Sequence, residues 1–393
     1  MNETPIIIAA KRTPLGSFQG QFSSLKAAEL GAPVIRSLIE STNIEADEID
    51  ELHFGCVLPA GQGQAPARQA ALDGGLPLSV PCNTVNKMCG SGMQTVMYAC
   101  NQILAGDANI VIAGGMESMT NAPYLLPQAR GGYRIGNGEI IDHMFFDGLQ
   151  DVKKGQLMGT FAELCAEKYA LSREVQDDFA IRSLERARAA TESNAFADEI
   201  VPVMVKSRKG ETTFDLDEQP QLSNINKIKT LRSAFKKDGT VTAANSSSIS
   251  DGASAMLLMS AAEAEKRDLK PLARIIGQVT HAQDPDWFTT APIYAIEKLL
   301  KKINWQINDV DLYEINEAFA VVTMVAINEL GLDPDKVNVN GGACALGHPI
   351  GASGTRILTT LVHALKKRGL KKGIASLCIG GGEATAMAIE IID

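Results

Sequence analysis

Met88-Cys89-Gly90-Ser91-Gly92 opens a pattern that this 393-residue chain uses twice. Apolar residues follow at Met93, Val96, Met97, Cys100, Ile103 and Leu104, a spacing that predicts an amphipathic helix stopped by Gly106. After a turn comes Asn109-Ile110-Val111-Ile112-Ala113-Gly114-Gly115-Met116-Glu117, an apolar strand that runs into glycines. Near the other end, Ile350-Gly351-Ala352-Ser353-Gly354 leads to a second helix, with Ile357, Leu358, Leu361, Val362 and Leu365. Ile374-Ala375-Ser376-Leu377-Cys378-Ile379-Gly380-Gly381-Gly382-Glu383 then repeats the strand and its glycines. Ser91 and Glu117 are 26 residues apart, Ser353 and Glu383 are 30 apart. The shared helix–strand–glycine order predicts a duplicated α/β unit.

Between these halves lies a more charged, turn-rich stretch, about 121–245, which includes Gly131-Gly132-Tyr133-Arg134-Ile135-Gly136-Asn137-Gly138. Ser172, with Glu174 in the first turn, predicts a helix N-cap inside it. The stretch reads as an insertion folded over a shared core. It ends in a basic run, Lys227, Lys229, Arg232, Lys236 and Lys237. That run is either a solvated face or a landing site for phosphates on an otherwise acidic protein.

A net charge of −9 argues against wholesale nucleic-acid binding. Seven scattered cysteines without a C-x-x-C pair fit a reducing cytosol, and no metal cluster is evident. Met1 runs directly into the strand-like Pro5–Ala10, without a basic leader, and no segment has the length of a membrane span. A cytoplasmic protein is the expectation.

Four side chains in glycine-rich turns carry chemistry. Cys89 precedes a helix, where the dipole and unpaired N–H groups favour a nucleophilic thiolate. His348, between Gly347 and Pro349, is placed to act as base or orienter. Cys378 ends an apolar strand, and the glycines beyond it let backbone N–H groups approach an oxyanion. Asn316 stands in Glu314-Ile315-Asn316-Glu317-Ala318-Phe319, where a helix cap is the simpler reading. Together these residues suggest acyl transfer through a thioester. A serine hydrolase, an NTPase or a dinucleotide enzyme lacks its motif.

The chain resembles the thiolases, and among them the short-chain, acetyl-transferring type. The resemblance runs nearly end to end, through Arg12-Thr13-Pro14-Leu15-Gly16-Ser17-Phe18, Asn86–Gly92, Asn316–Phe319, Gly347–Gly351 and Cys378–Gly382. It implies a thiolase fold: two duplicated α/β halves in a five-layered αβαβα core, with an inserted loop domain. On that basis 1–120 with 246–270 form the N-terminal half, 121–245 the loop domain and 271–393 the C-terminal half. It also implies condensation of two acetyl-CoA into acetoacetyl-CoA and CoA. Cys89 would be acylated, His348 would take its proton, and Cys378 would remove the α-proton of the second thioester. One oxyanion site would use His348 and a water held by Asn316, the other the N–H groups of Cys89 and Gly380. Met158, Leu149, Ala318 and Phe319 would line the acyl pocket and Ser247 would meet the pantetheine arm. Lys227, Lys229 and Arg232 are phosphate candidates on charge alone. CoA thioesters are substrates here, and no permanently bound cofactor is expected. The resemblance further implies a homotetramer, with 121–140 similar to the loop that joins dimers.

Some positions depart from the family pattern: Leu157 for a common His, Ser246, Ser248 and Ser250 around Ser247, Cys344, Glu383, and a 218–224 loop without a basic residue. They bear on acyl-chain preference and CoA affinity, and leave the four catalytic positions intact. Related carrier-protein synthases typically use a second His, or a His and Asn, where Cys378 stands. A non-catalytic relative would lack Cys89, His348 or Cys378.

Overall fold

The computed structural model describes residues 4–208 and 210–392; the Met1 start discussed above lies outside them. Nine principal strands are β1 (Pro5–Arg12), β2 (Glu51–Gly55), β3 (Cys82–Val85), β4 (Ile110–Ser118), β5 (Ser250–Ser260), β6 (Ala273–Ala282), β7 (Leu312–Ile315), β8 (Lys372–Ile379) and β9 (Glu383–Ile391). The helices that matter here are α1 (Ala27–Thr42), α2 (Pro66–Asp73), α3 (Ser91–Ala105), α4 (Met158–Lys168), α5 (Arg173–Glu192), α6 (Ala291–Ile303), α7 (Ala320–Leu330) and α8 (Ser353–Arg368).

The strand order β7-β8-β9-β6-β1-β5-β4-β2-β3 contains the duplication. In the first half, β4 pairs parallel with β2 and antiparallel with β5, which returns beside β1. In the second, β8 pairs parallel with β7 and antiparallel with β9, which returns beside β6. The place of β3 is marked in the second half by a single parallel bridge from Tyr313 to Val337. The halves are joined through β1 and β6 at Ile6–Arg274 and Ile7–Ala273.

Alternation along the strands builds the layers. Ile110 and Ile112 face α1 and α2, while Val111 and Ala113 face the other way, onto α3 and α8. Ala375 and Leu377 close on α3 and α8 from the second sheet, and Ile374 and Cys378 face α6 and α7. The result is helix, sheet, paired central helices, sheet, helix.

α3 ends at Gly106, in the left-handed region at φ 77°, as its sequence predicts. Its predicted apolar face is buried except for Leu104, which is exposed. Ser172 caps α5 by accepting from the Val175 N–H. The Thr355 hydroxyl of α8 donates to the Gly92 carbonyl of α3 at 2.7 Å, so the two central helices meet at their N-termini.

One detail of the repeat differs. Glu117 is the penultimate residue of β4, whereas Glu383 opens β9 beyond a turn. The glycines before them do different work. A Cβ on Gly115 would lie 2.0 Å from the Gly351 oxygen, so Gly115 admits a neighbouring backbone. Gly381 and Gly382 have φ of 96° and 90° and make the β8–β9 turn. Where the second half has only Gly380–Gly382, the first inserts residues 119–249 between β4 and β5. No helix among the described residues is long and apolar enough to cross a membrane.

Candidate active site

The turn that carries Cys89 is tightly held. Met88 sits in the left-handed region at φ 48°, uncommon for a side chain with a Cβ. Asn86 Oδ1 accepts from the Met88 N–H (2.9 Å), and Ser91 Oγ both accepts from the Lys87 N–H (2.8 Å) and donates to the Met88 carbonyl (2.6 Å). Lys87 also forms an ion pair with Glu383, at the far side of the Gly380–Gly382 turn. The departure at 383 thus latches the nucleophile turn to the glycine turn.

The backbone N–H groups of Gly380 and of Cys89 itself favour the ionised form of the Cys89 thiol. These donors lower the thiol's pKa, but burial outweighs them and the negative Glu117 adds to it, pushing Cys89 up to about 11. At neutral pH the resting group is therefore the thiol, and the helix dipole and N–H donors act once a base takes its proton. Cys89 lies one residue before Gly90, the N-cap of α3, and is half-buried. Burial likewise raises Cys378 well above an ordinary thiol, with the charge of Cys89 as the next cause, so the two sulfurs sense each other.

His348 is buried. Its Nδ1 lies 2.5 Å from the Ser353 Oγ, and that hydroxyl donates to the Pro349 carbonyl at 2.9 Å. With its one hydrogen so used, the Ser353 oxygen accepts from Nδ1–H, which leaves Nε2 with a lone pair. Burial, with the Arg356 charge behind it, holds His348 neutral down to about pH 3. Asn316 Nδ2 stands 3.5 Å from Nε2. Asn316 does not cap α7, whose N-cap is Phe319. Its backbone N–H donates to the Ser376 carbonyl on β8, two residues before Cys378.

Sequence reading overlooked three supports. Ser353 reads in the sequence only as a helix start, although a hydroxyl five residues after the histidine of a Gly-His-Pro turn is the available signal. Glu117 accepts from the N–H groups of Val57 (2.9 Å), Leu58 (3.2 Å) and Gly351 (2.9 Å), and so ties β4 to the His348 loop. Burial pushes its carboxyl up to about 7. Arg356 is the third, and nothing local marks it.

The pocket candidates are spread around this centre. Leu149 packs in one apolar cluster with Met88, Cys89 and Ile350. Met158, at the start of α4, has its sulfur 3.4 Å from where a Cβ on Gly380 would sit. Phe319 is buried and braced edge-on by Phe235 and Phe288, with centroids 6.0 and 6.3 Å away. The Ser247 hydroxyl donates to the Ala318 carbonyl at 3.0 Å. The basic run is divided. Lys229 pairs with Asp178 at 2.7 Å and Lys236 with Glu167 at 3.3 Å. Arg232 lines an open cleft of about 650 Å³ with Arg173, Lys236 and Lys237, and Lys227 is exposed outside that lining.

Known proteins bear on this arrangement. Residues 5–262 match the family model of the thiolase N-terminal domain, and 269–391 that of the thiolase C-terminal domain. An acetyl-CoA acetyltransferase of Chromobacterium violaceum is 50% identical over 386 residues, 98% of each chain. One from Schizosaccharomyces pombe is 49% identical over 392 residues, 99% of each. The crystal structure of the Bacillus anthracis acetyl-CoA acetyltransferase superposes with a TM-score of 0.97 at 43% identity, covering 99% of both chains. The chain belongs to the thiolase family, and its fold is the thiolase fold. It is an acyltransferase enzyme.

Proposed function

We propose that the protein is an acetyl-CoA C-acetyltransferase that reversibly joins two acetyl-CoA into acetoacetyl-CoA and CoA, by a ping-pong route through acetyl-Cys89. The observation that carries this reading is the packing of the Cys89 turn on the Cys378–Gly382 segment, where Lys87 pairs with Glu383 and Gly90 leaves room for the Ile379 side chain.

In the first half-reaction His348 Nε2 takes the Cys89 proton as the sulfur attacks the acetyl carbonyl. The bond from the carbonyl carbon to the CoA sulfur breaks, and CoA leaves with that proton. A histidine so reluctant to stay charged passes the proton on. While protonated, its Nε2–H and the Asn316 site stabilise one thioester oxygen. The Cys89 and Gly380 N–H groups stabilise the oxygen of the acyl-enzyme, and one such donor is worth about 10²–10³ in rate.

In the second half-reaction Cys378, ionised with its own proton released to solvent, removes the α-proton of a second acetyl-CoA. The carbanion attacks acetyl-Cys89, a carbon–carbon bond forms, the Cys89 thioester bond breaks, and the released Cys89 thiolate regains a proton from solvent.

Met158, Leu149, Ala318 and Phe319 would border the acyl group, Ser247 the pantetheine arm, and Lys227, Lys229 and Arg232 the nucleotide end, with Arg232 best supported by its cleft. CoA thioesters are substrates, and the reading needs no resident cofactor. Exposed Tyr124, Leu126, Ile135 and Ile140 favour a homotetramer, a dimer of dimers. We place the enzyme in the cytoplasm and in fatty acid metabolism. Leu157, apolar where many relatives carry an imidazole, favours a second reading with a broader chain range. CoA-dependent cleavage of acetoacetyl-CoA and of 3-ketohexanoyl-CoA by the purified enzyme tests both. A preference for the shorter substrate of about a hundredfold or more, toward the upper end of the ~10–200-fold that a methylene's fit in an apolar pocket can supply, sinks the broader reading. No cleavage of either sinks the activity.

A further inference from the structure

Arg356 lies on α8, three residues after Ser353, and is 1% exposed. None of its three guanidinium nitrogens has a hydrogen-bond partner among the described residues. Glu314 Oε2 stands 3.8 Å from Nη1, beyond hydrogen-bond reach. Two buried carboxyl oxygens of groups that act electrostatically on Arg356 are orphaned as well, Glu314 Oε1 and Glu199 Oε2. The other oxygen of Glu199 is fixed, accepting from Arg12 Nε at 2.5 Å and from the Thr360 hydroxyl at 3.1 Å. Thr360 is one helical turn beyond Arg356, a rise of about 6 Å. One water making two hydrogen bonds of about 2.9 Å spans a gap of nearly that size.

A guanidinium carries five N–H donors and keeps its charge, so leaving all of them dry in the interior is strongly unfavourable. Glu317 offers no relief, because its oxygens accept from Ser183, Asn338 and the Cys344 N–H. We propose that Arg356, Glu314 and Glu199 enclose a binding site for ordered water, which accepts from the guanidinium and bonds to the two orphan carboxyl oxygens. An anion is the wrong ligand there, since it would meet the Glu199 carboxylate and the Glu314 carboxyl oxygens. The water joins three parts of the molecule, two of which carry residues that touch His348. Glu314 is two residues from Asn316, and Arg356 shares a helix with Ser353. Glu199 belongs to the inserted stretch and is anchored on β1 through Arg12.

A crystal structure of the full chain that resolves ordered solvent, with a parallel bromide soak, tests the site. The expected result is a solvent peak within about 3.2 Å of an Arg356 nitrogen and of Glu199 Oε2 or Glu314 Oε1, with no anomalous signal from bromide. Arg356→Met in the same crystals should lose that peak. A guanidinium bonded directly to either carboxylate with no solvent between them overturns the proposal, as does a bromide peak beside Arg356. If the variant fails to fold, the map of the unaltered chain decides alone.

Discussion

The Nδ1 of His348 and the Oγ of Ser353 are 2.5 Å apart, and the Ser353 hydroxyl hydrogen is committed to the Pro349 carbonyl. The pair holds the imidazole in the tautomer whose Nε2 is a base. Ser353→Ala should lower kcat about tenfold to a hundredfold, part of the ~10²–10⁴ that a positioned proton-transfer group contributes. KM should change little, and Ser353→Thr should recover most of the rate. Steady-state kinetics on both variants check this; equal kcat in all three proteins would deny Ser353 its orienting role.

The glycine turn separates backbone need from chemistry. A Cβ on Gly380 meets only the Met158 sulfur, at an ordinary 3.4 Å. One on Gly382 would sit 2.4 Å from the Gln283 oxygen, on a residue at φ 90°. Gly380→Ala should stay within about 0.5 kcal/mol of the parent in stability, while Gly382→Ala should lose about 2–4 kcal/mol. Urea denaturation of the two variants gives the comparison directly.

Glu314 makes stability depend on pH. Burial pushes its carboxyl from an ordinary 4.5 to about 8 in the fold. Between those values the unfolded chain has released a proton that the folded chain retains, so this group's contribution falls as pH rises from about 4.5 to 8. His348 acts in the opposite sense, losing stability as pH drops below its ordinary 6.5. Glu314→Gln should therefore gain on the parent as the buffer moves from pH 5 to pH 8. Melting curves at the two pH values test it, and a constant difference would contradict the buried, protonated carboxyl.

Glu117 presents both carboxyl oxygens to backbone N–H groups. In Glu117→Gln an NH2 must face at least one of those donors. The expected cost is about 1–3 kcal/mol for the group left unsatisfied, together with a fall in kcat as Gly351 loosens beside the His348 loop. Denaturation midpoints and turnover should move together. A loss of stability with unchanged kcat would make Glu117 a fold residue alone.

Much of this was legible in the sequence where local chemistry marks it. The change from helical to strand period, with Gly106 as stop, placed α3 and β4, and Ser172 marked the start of α5. Legibility failed where the outcome depends on distant chain. The helix start before Gly92 was visible, but the depth of the Cys89 sulfur was not, and depth decides between thiolate and thiol. Gly115 and Gly382 look alike in sequence, although one admits the Gly351 carbonyl and the other makes a turn. The basic run was plain, yet its pairing with Asp178 and Glu167 depends on α5 and α4 packing beside it. Glu117 and Arg356 gave no local sign, because their partners lie more than forty residues away along the chain.

The central claim is that Cys89 carries the acetyl group. The most direct measurement is peptide mapping by mass spectrometry after brief incubation with acetyl-CoA, on the parent and on Cys378→Ala. An acetyl group on the peptide containing Cys89, accumulating further in Cys378→Ala because the carbon–carbon step is blocked, is the result predicted. Acetyl on Cys378 in the parent, or a folded enzyme that turns over with Cys89 never modified, would contradict it.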